Sequence, residues 1–134
     1  IGTYEGRHYV NDSKGTNPAA TAAALETIGY PTVLIAGGSD KALDFDELLE
    51  PLQNWVKALV VIGHTAPLLQ RVARKVGLQR ILEASTLDEA VRLAREVSAP
   101  GDTILFSPAS ASFDMFRDYR DRGEQFRRAV REGA

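Results

Sequence analysis

The stretch Asn11-Asp12-Ser13-Lys14-Gly15-Thr16-Asn17-Pro18 brings a carboxylate, an ammonium, two hydroxyls and a glycine together within a few positions. Two other segments have the same character: Gly37-Gly38-Ser39-Asp40-Lys41 and Ser107-Pro108-Ala109-Ser110-Ala111-Ser112. Of the chain's four lysines, Lys14 and Lys41 fall in these segments, whereas all twelve arginines lie elsewhere. An ammonium is a compact point charge suited to a carboxylate or a phosphate. Small residues let backbone N–H groups approach the same anion, and a helix N-terminus adds the positive end of its dipole. The hydroxyls of Thr16 and Ser112 can donate without adding charge. The chemistry these residues describe is the holding of a small ligand with more than one negative group.

Taken singly, each residue has a plainer role. Gly37-Gly38 suits a turn, Ser112 an N-cap, Asp12 a brace for its own loop, and the two lysines solvated charge. Whether the segments meet depends on the elements that carry them. Strands are predicted around Thr3-Tyr4-Glu5 and His8-Tyr9-Val10-Asn11, with Gly6 in a tight antiparallel turn between them. A helix is expected from about Pro18 to Ile28, with Asn17 as N-cap, Pro18 at its first position, and Gly29 and Pro31 ending it. Thr32 to Ala36 and Ala58 to Ile62 are continuous apolar runs, as in strands covered on both faces. Helices are read at Phe45 to Leu49 (with Asp44 as cap), at Leu68 to Val76, and from Ser85 onward through Leu87, Ala90, Val91, Ala94 and Val97. Arg80 to Ala84 and Thr103 to Phe106 read as strands, and Phe113 to Glu132 as a charged amphipathic helix interrupted near Gly123.

Strands alternating with helices predict an α/β fold: a Rossmann-like, mostly parallel sheet of about six strands, one of them an antiparallel hairpin strand, with helices on both faces. In such a sheet the loops after strands share the carboxyl edge, where ligands bind, and all three unusual segments follow predicted strands.

At 134 residues the chain fits one domain, 1–134. Its 44% hydrophobic and 25% charged residues decide against disorder. A net charge of −2 gives no electrostatic reason to expect nucleic acid or an anionic membrane as partner. The absence of cysteine excludes a disulfide scaffold, a thiol nucleophile and a thiolate metal site, and fits a reducing compartment. No apolar run approaches the roughly 18 residues of a membrane span. The chain begins at Ile1 and its one methionine is Met115, which reads as a processed product or an excised domain. His64 has no partner at metal-ligand spacing, and His8 reads as structural or exposed. Neither a dinucleotide fingerprint nor a Walker sequence is present. Arg117, Arg120, Arg122, Arg127, Arg128 and Arg131 alternate with acidic residues and read as a solvated helix face.

The three segments, with Phe113-Asp114-Met115-Phe116 and Arg122-Gly123-Glu124-Gln125-Phe126, resemble the C-terminal domain of the Mur ligases in the same order over nearly the whole chain. The first loop is most similar to the branch that adds D-glutamate to UDP-N-acetylmuramoyl-L-alanine in peptidoglycan synthesis. That resemblance implies a cytoplasmic bacterial three-domain enzyme in which ATP phosphorylates the precursor carboxylate and the amine of D-glutamate attacks the acyl phosphate. By motif position, Lys14, Thr16, Lys41 and Ser112 would hold the D-glutamate carboxylates, Tyr119 would line that site, and Asp12 would face the nucleotide. ATP and magnesium would be bound mainly by a central domain outside this chain, as would UDP-N-acetylmuramoyl-L-alanine by the other domains. The chain alone is therefore expected to have no ligase activity. Two alternatives remain open on the residues: a domain of another Mur or folylpolyglutamate-type amide ligase, and a non-catalytic α/β module for a small anion.

Overall fold

A computed structural model of the chain describes every residue except 1, 5, 13–16, 39–44, 64, 109–118 and 134. At its centre the two continuous apolar runs form β3 (Thr32–Gly38) and β4 (Val56–Gly63). Every residue of β3 is buried, the result of helices packing on both faces of a parallel sheet. The other strands are β1 (Gly2–Tyr4), β2 (Arg7–Asn11), β5 (Ile81–Glu83) and β6 (Thr103–Phe106). The six form one sheet in the order β1-β2-β6-β3-β4-β5. β1 pairs antiparallel with β2, and all other pairings are parallel.

Local signals set the helix ends. In α1 (Pro18–Ile28), Asn17 Oδ1 accepts from Ala20 N at 2.9 Å, Pro18 occupies the first turn, and Gly29 closes the helix at φ 82°. In α4 (Leu87–Val97), Thr86 Oγ1 accepts from Glu89 N at 3.1 Å while the Glu89 carboxylate accepts from Ser85 N at 2.7 Å. This reciprocal pair is a variant of the capping box. The segment expected to open as a helix at Phe45 is a 3₁₀ turn, Phe45–Leu48, before α2 (Leu49–Trp55) begins. The next helix, α3 (Ala66–Lys75), starts two residues earlier than its apolar spacing suggested. Pro67 lies in its first turn, where a missing N–H costs nothing.

The last helix, α5, is described over Tyr119–Gly133 and corrects two expectations. It runs unbroken through Gly123, whose carbonyl accepts a hydrogen bond from Asn11 Nδ2 at 3.1 Å. Its arginines are not all solvated, because Arg122 is fully buried. Arg122 shares a helical stripe with Phe126, Ala129 and Val130, and that stripe is the one turned to the sheet. Phe126 stacks on Phe106 of β6 with ring centroids 4.8 Å apart. Arg95 of α4 ties the same face together, donating to Tyr9 Oη at 2.8 Å and to the Val130 carbonyl at 2.7 Å.

Two apolar layers result. One packs α4 and α5 on Tyr9, Val33, Ile35, Val60, Ile104 and Phe106. The other packs α1, α2 and α3 on Leu34, Ala36, Leu59, Val61 and Leu105. Among the described residues no helix is long and apolar enough to cross a membrane.

Candidate functional site

The strand order decides which loops are neighbours. β6, late in sequence, lies between β2 and β3, with Asn11 opposite Phe106 and Ile35 opposite the same residue. The loops that follow β2, β6 and β3 are the three singled out by their chemistry, and they leave three adjacent parallel strands at one edge. From β2 the chain passes into α1 on one face, and from β6 into α5 on the opposite face. Neighbouring strands whose connections depart to opposite faces open a crevice at the carboxyl edge, the usual ligand position in an open α/β sheet.

The roots of the loops are tightly bonded. Asp12 N donates to the Phe106 carbonyl at 2.8 Å, Ser107 N to the Ile35 carbonyl at 3.2 Å, and Gly37 N to the Pro108 carbonyl at 2.8 Å. Gly38 N donates to Thr65 Oγ1 at 2.9 Å, and Thr65 N returns a bond to the Gly38 carbonyl at 3.0 Å, binding the end of β3 to the turn after β4. Gly37 sits at φ 135°, and a Cβ there would collide with the backbone of Ile62. Glycine here allows the close approach of β3 to β4 just before the second loop.

Of the residues expected to bind ligand, Asp12 is described in full. Its Oδ2 accepts a hydrogen bond from Ser107 Oγ at 2.8 Å, and it borders an open cavity of about 440 Å³ lined also by Val10, Ala20, Ala24 and Leu105. Lys14, Thr16, Lys41 and Ser112 lie outside the described residues, as do Asp44 and His64. Tyr119 is the first described residue of α5, at the end of the helix that follows the third loop. His8 is exposed and paired with Thr3 Oγ1 at 2.9 Å from its Nδ1. Among the described residues no three His, Asp or Glu side chains gather as a metal site.

Sequence reasoning gave Thr21 no role and named Ser107 only as the start of the third segment, yet both are fully buried. Their hydroxyls lie 2.8 Å apart, and Thr21 Oγ1 is 3.2 Å from the Ser107 carbonyl. The signal that could have found the pair is Thr21's position as the lone polar side chain within the run Ala19–Leu25. A hydroxyl in so apolar a stretch needs a partner once buried.

Comparison with known proteins agrees with this architecture. Residues 1–110 match the family described as Mur ligase, glutamate ligase domain. The UDP-N-acetylmuramoylalanine–D-glutamate ligase of Desulfitobacterium hafniense (strain Y51) is 47% identical over 131 residues, covering 98% of this chain and 29% of that protein. The ligase of the same name from Marinobacter nauticus is 52% identical over 130 residues, covering 94% of this chain and 28% of its own length. The chain thus spans under a third of the length of the curated relatives it matches. Among solved structures, the fold is shared with UDP-N-acetylmuramate-alanine ligase from Thermotoga maritima (TM-score 0.53, 15% identity, 88% of this chain and 25% of that one). It is also shared with Mycobacterium tuberculosis folylpolyglutamate synthase complexed with ADP and AMPPCP (TM-score 0.55, 19% identity, 87% and 27%). With most of its length matched to the family and relatives about half identical across it, the chain belongs to the Mur ligase family, in its glutamate ligase domain.

Proposed function

We propose that this chain is the C-terminal, amino-acid-binding domain of a three-domain ATP-dependent ligase that joins D-glutamate to UDP-N-acetylmuramoyl-L-alanine in bacterial peptidoglycan synthesis, in the cytoplasm. The observation that carries the reading is the adjacency of β2, β6 and β3, whose loops bear Lys14 and Thr16, Ser112, and Lys41 in turn. Glutamate presents two carboxylates and an amine. Two ammonium groups and two hydroxyl donors match the carboxylates, with Tyr119 lining the same site, and leave the amine without a strong anionic partner.

That division suits the reaction. The amine attacks unprotonated at the acyl carbon of the phosphorylated precursor; the C–N bond forms, the C–O bond to phosphate breaks, and the amine gives up one proton. The domain's part is to orient the nucleophile and, with its lysines, to balance the negative charge that gathers as the domains close. Asp12, a carboxylate, suits hydroxyl or amino donors of a nucleotide rather than its phosphates. ATP and magnesium would be held mainly by the central domain, and UDP-N-acetylmuramoyl-L-alanine by the domains outside this chain. The charge pattern accepts any dicarboxylic amino acid; the choice of D-glutamate rests on the relatives' activity.

The test is ADP formation by the full-length enzyme with UDP-N-acetylmuramoyl-L-alanine and a panel of amino acids. D-Glutamate alone should support turnover. Turnover with L-glutamate and a folate acceptor, or with another amino acid on a muramoyl peptide, would overturn the reading.

A further inference from the structure

The bonds around Ser107 have only one consistent direction. A carboxylate can only accept, so the hydroxyl proton of Ser107 Oγ points at Asp12 Oδ2, 2.8 Å away. Ser107 Oγ must then accept from Thr21 Oγ1, also at 2.8 Å, with the Ser107 carbonyl at 3.2 Å sharing the same proton. The hydroxyl chain therefore runs from α1, through the residue that follows β6, to the carboxylate that follows β2. It joins α1 to the carboxyl ends of β2 and β6. Thr21 and Ser107 are both fully buried, so water does not compete for these bonds. Oδ1 of Asp12 takes no part in the chain and accepts no hydrogen bond among the described residues.

We propose that Ser107 and Thr21 are positioning residues for nucleotide use: they lock the Asp12 carboxylate by one oxygen so that the other is presented at a fixed angle to the crevice. This inference rests on the reading that Asp12 faces the nucleotide. Neither hydroxyl touches substrate in this scheme, since each acts through Asp12. A fixed carboxylate pays no ordering cost when its ligand arrives, and a free rotor would.

The experiment is steady-state kinetics of the full-length ligase with Asp12→Ala, Ser107→Ala, Thr21→Val, Thr21→Ser and the Asp12→Ala/Ser107→Ala double variant. Ser107→Ala should raise KM for ATP on the order of tenfold, the size of one charge-assisted hydrogen bond. Thr21→Val should raise it several-fold, because Ser107 keeps its own proton but loses the donor that aims it. KM for D-glutamate should stay within about twofold in both, Thr21→Ser should restore ATP binding, and Ser107→Ala should have no further effect once Asp12 is alanine.

Equal rises in both KM values would mark a merely structural role for the third loop and overturn the proposal. An unchanged KM for ATP in Ser107→Ala, beside a raised one in Asp12→Ala, would overturn the hydroxyl chain while sparing the nucleotide assignment. An unchanged KM for ATP in Asp12→Ala would remove that assignment and the proposal with it. Should Ser107→Ala fail to fold, the contrast between Thr21→Val and Thr21→Ser decides by the same split.

Discussion

Gly37→Ala is the perturbation whose cost the structure specifies most fully. Gly37 lies at φ 135°, where an L side chain is strained by about 1–2 kcal/mol. Its Cβ would also stand 2.8 Å from the Ile62 carbonyl carbon, 2.9 Å from Ile62 N, and inside the envelope of Ile62 O. These are backbone atoms of the paired strand and cannot swing aside. Relief requires β3 and β4 to part where Gly37 faces Ile62 and Gly38 faces Gly63. The bonds from Gly37 N to Pro108 O and between Gly38 and Thr65 would weaken together.

At about 1 kcal/mol for each hydrogen bond, strain and lost bonds sum to about 3–5 kcal/mol. For a domain of this size that corresponds to a fall of about 10–20 °C in melting temperature. Gly29→Ala is the matched control, because Gly29 sits at φ 82° and an added methyl group would meet nothing within 4 Å. It carries the backbone strain alone, about 1–2 kcal/mol, and should lower the melting temperature by only about 3–8 °C. Thermal unfolding followed by circular dichroism compares the two directly. Coincident melting of the two variants would refute the claim that close β3–β4 approach, rather than the positive φ, demands glycine at position 37.

Three further outcomes follow from the same geometry. Asn17→Ala removes the side chain that accepts from Ala20 N and should cost about 1 kcal/mol in a denaturant melt, whereas Asn17→Asp should retain most of the stability. Arg122→Ala empties a fully buried, partnered position and should cost about 3–5 kcal/mol, against less than about 0.5 kcal/mol for exposed Arg128→Ala, both read from the denaturant midpoint. The purified 134-residue chain should form no ADP in response to D-glutamate in a coupled assay, and any D-glutamate-dependent signal above background would contradict the expectation.

Much of the fold was legible because its boundaries are local. Asn17-Pro18 and Gly29 punctuate α1 at both ends, and Thr86 with Glu89 announces α4. Reading failed where tertiary pairing overrides propensity. Gly37-Gly38 reads as a turn, yet both residues extend β3 because Ile62 and Gly63 lie beside them. Arg122 reads as one member of a charge run, although its spacing of four to Phe126 places it on the buried stripe; periodicity is the better guide there.

The three polar segments of the candidate site were legible in the sequence, but the order of the strands that carry them was not. The alternation of strands and helices predicts a parallel sheet, but nothing local tells that β6 enters between β2 and β3. That insertion makes the first and third loops neighbours. The Thr21–Ser107–Asp12 chain was hidden for the same reason, since Ser107 lies 86 residues from Thr21 and 95 from Asp12.

The most direct test of the account is the kinetics of Lys41→Ala in the full-length ligase. Loss of an ammonium that holds a substrate carboxylate should raise KM for D-glutamate by about 10–100-fold, while KM for UDP-N-acetylmuramoyl-L-alanine changes by less than about twofold. Equal changes in the two values, or none in that for D-glutamate, would contradict the claim that this domain holds the amino acid.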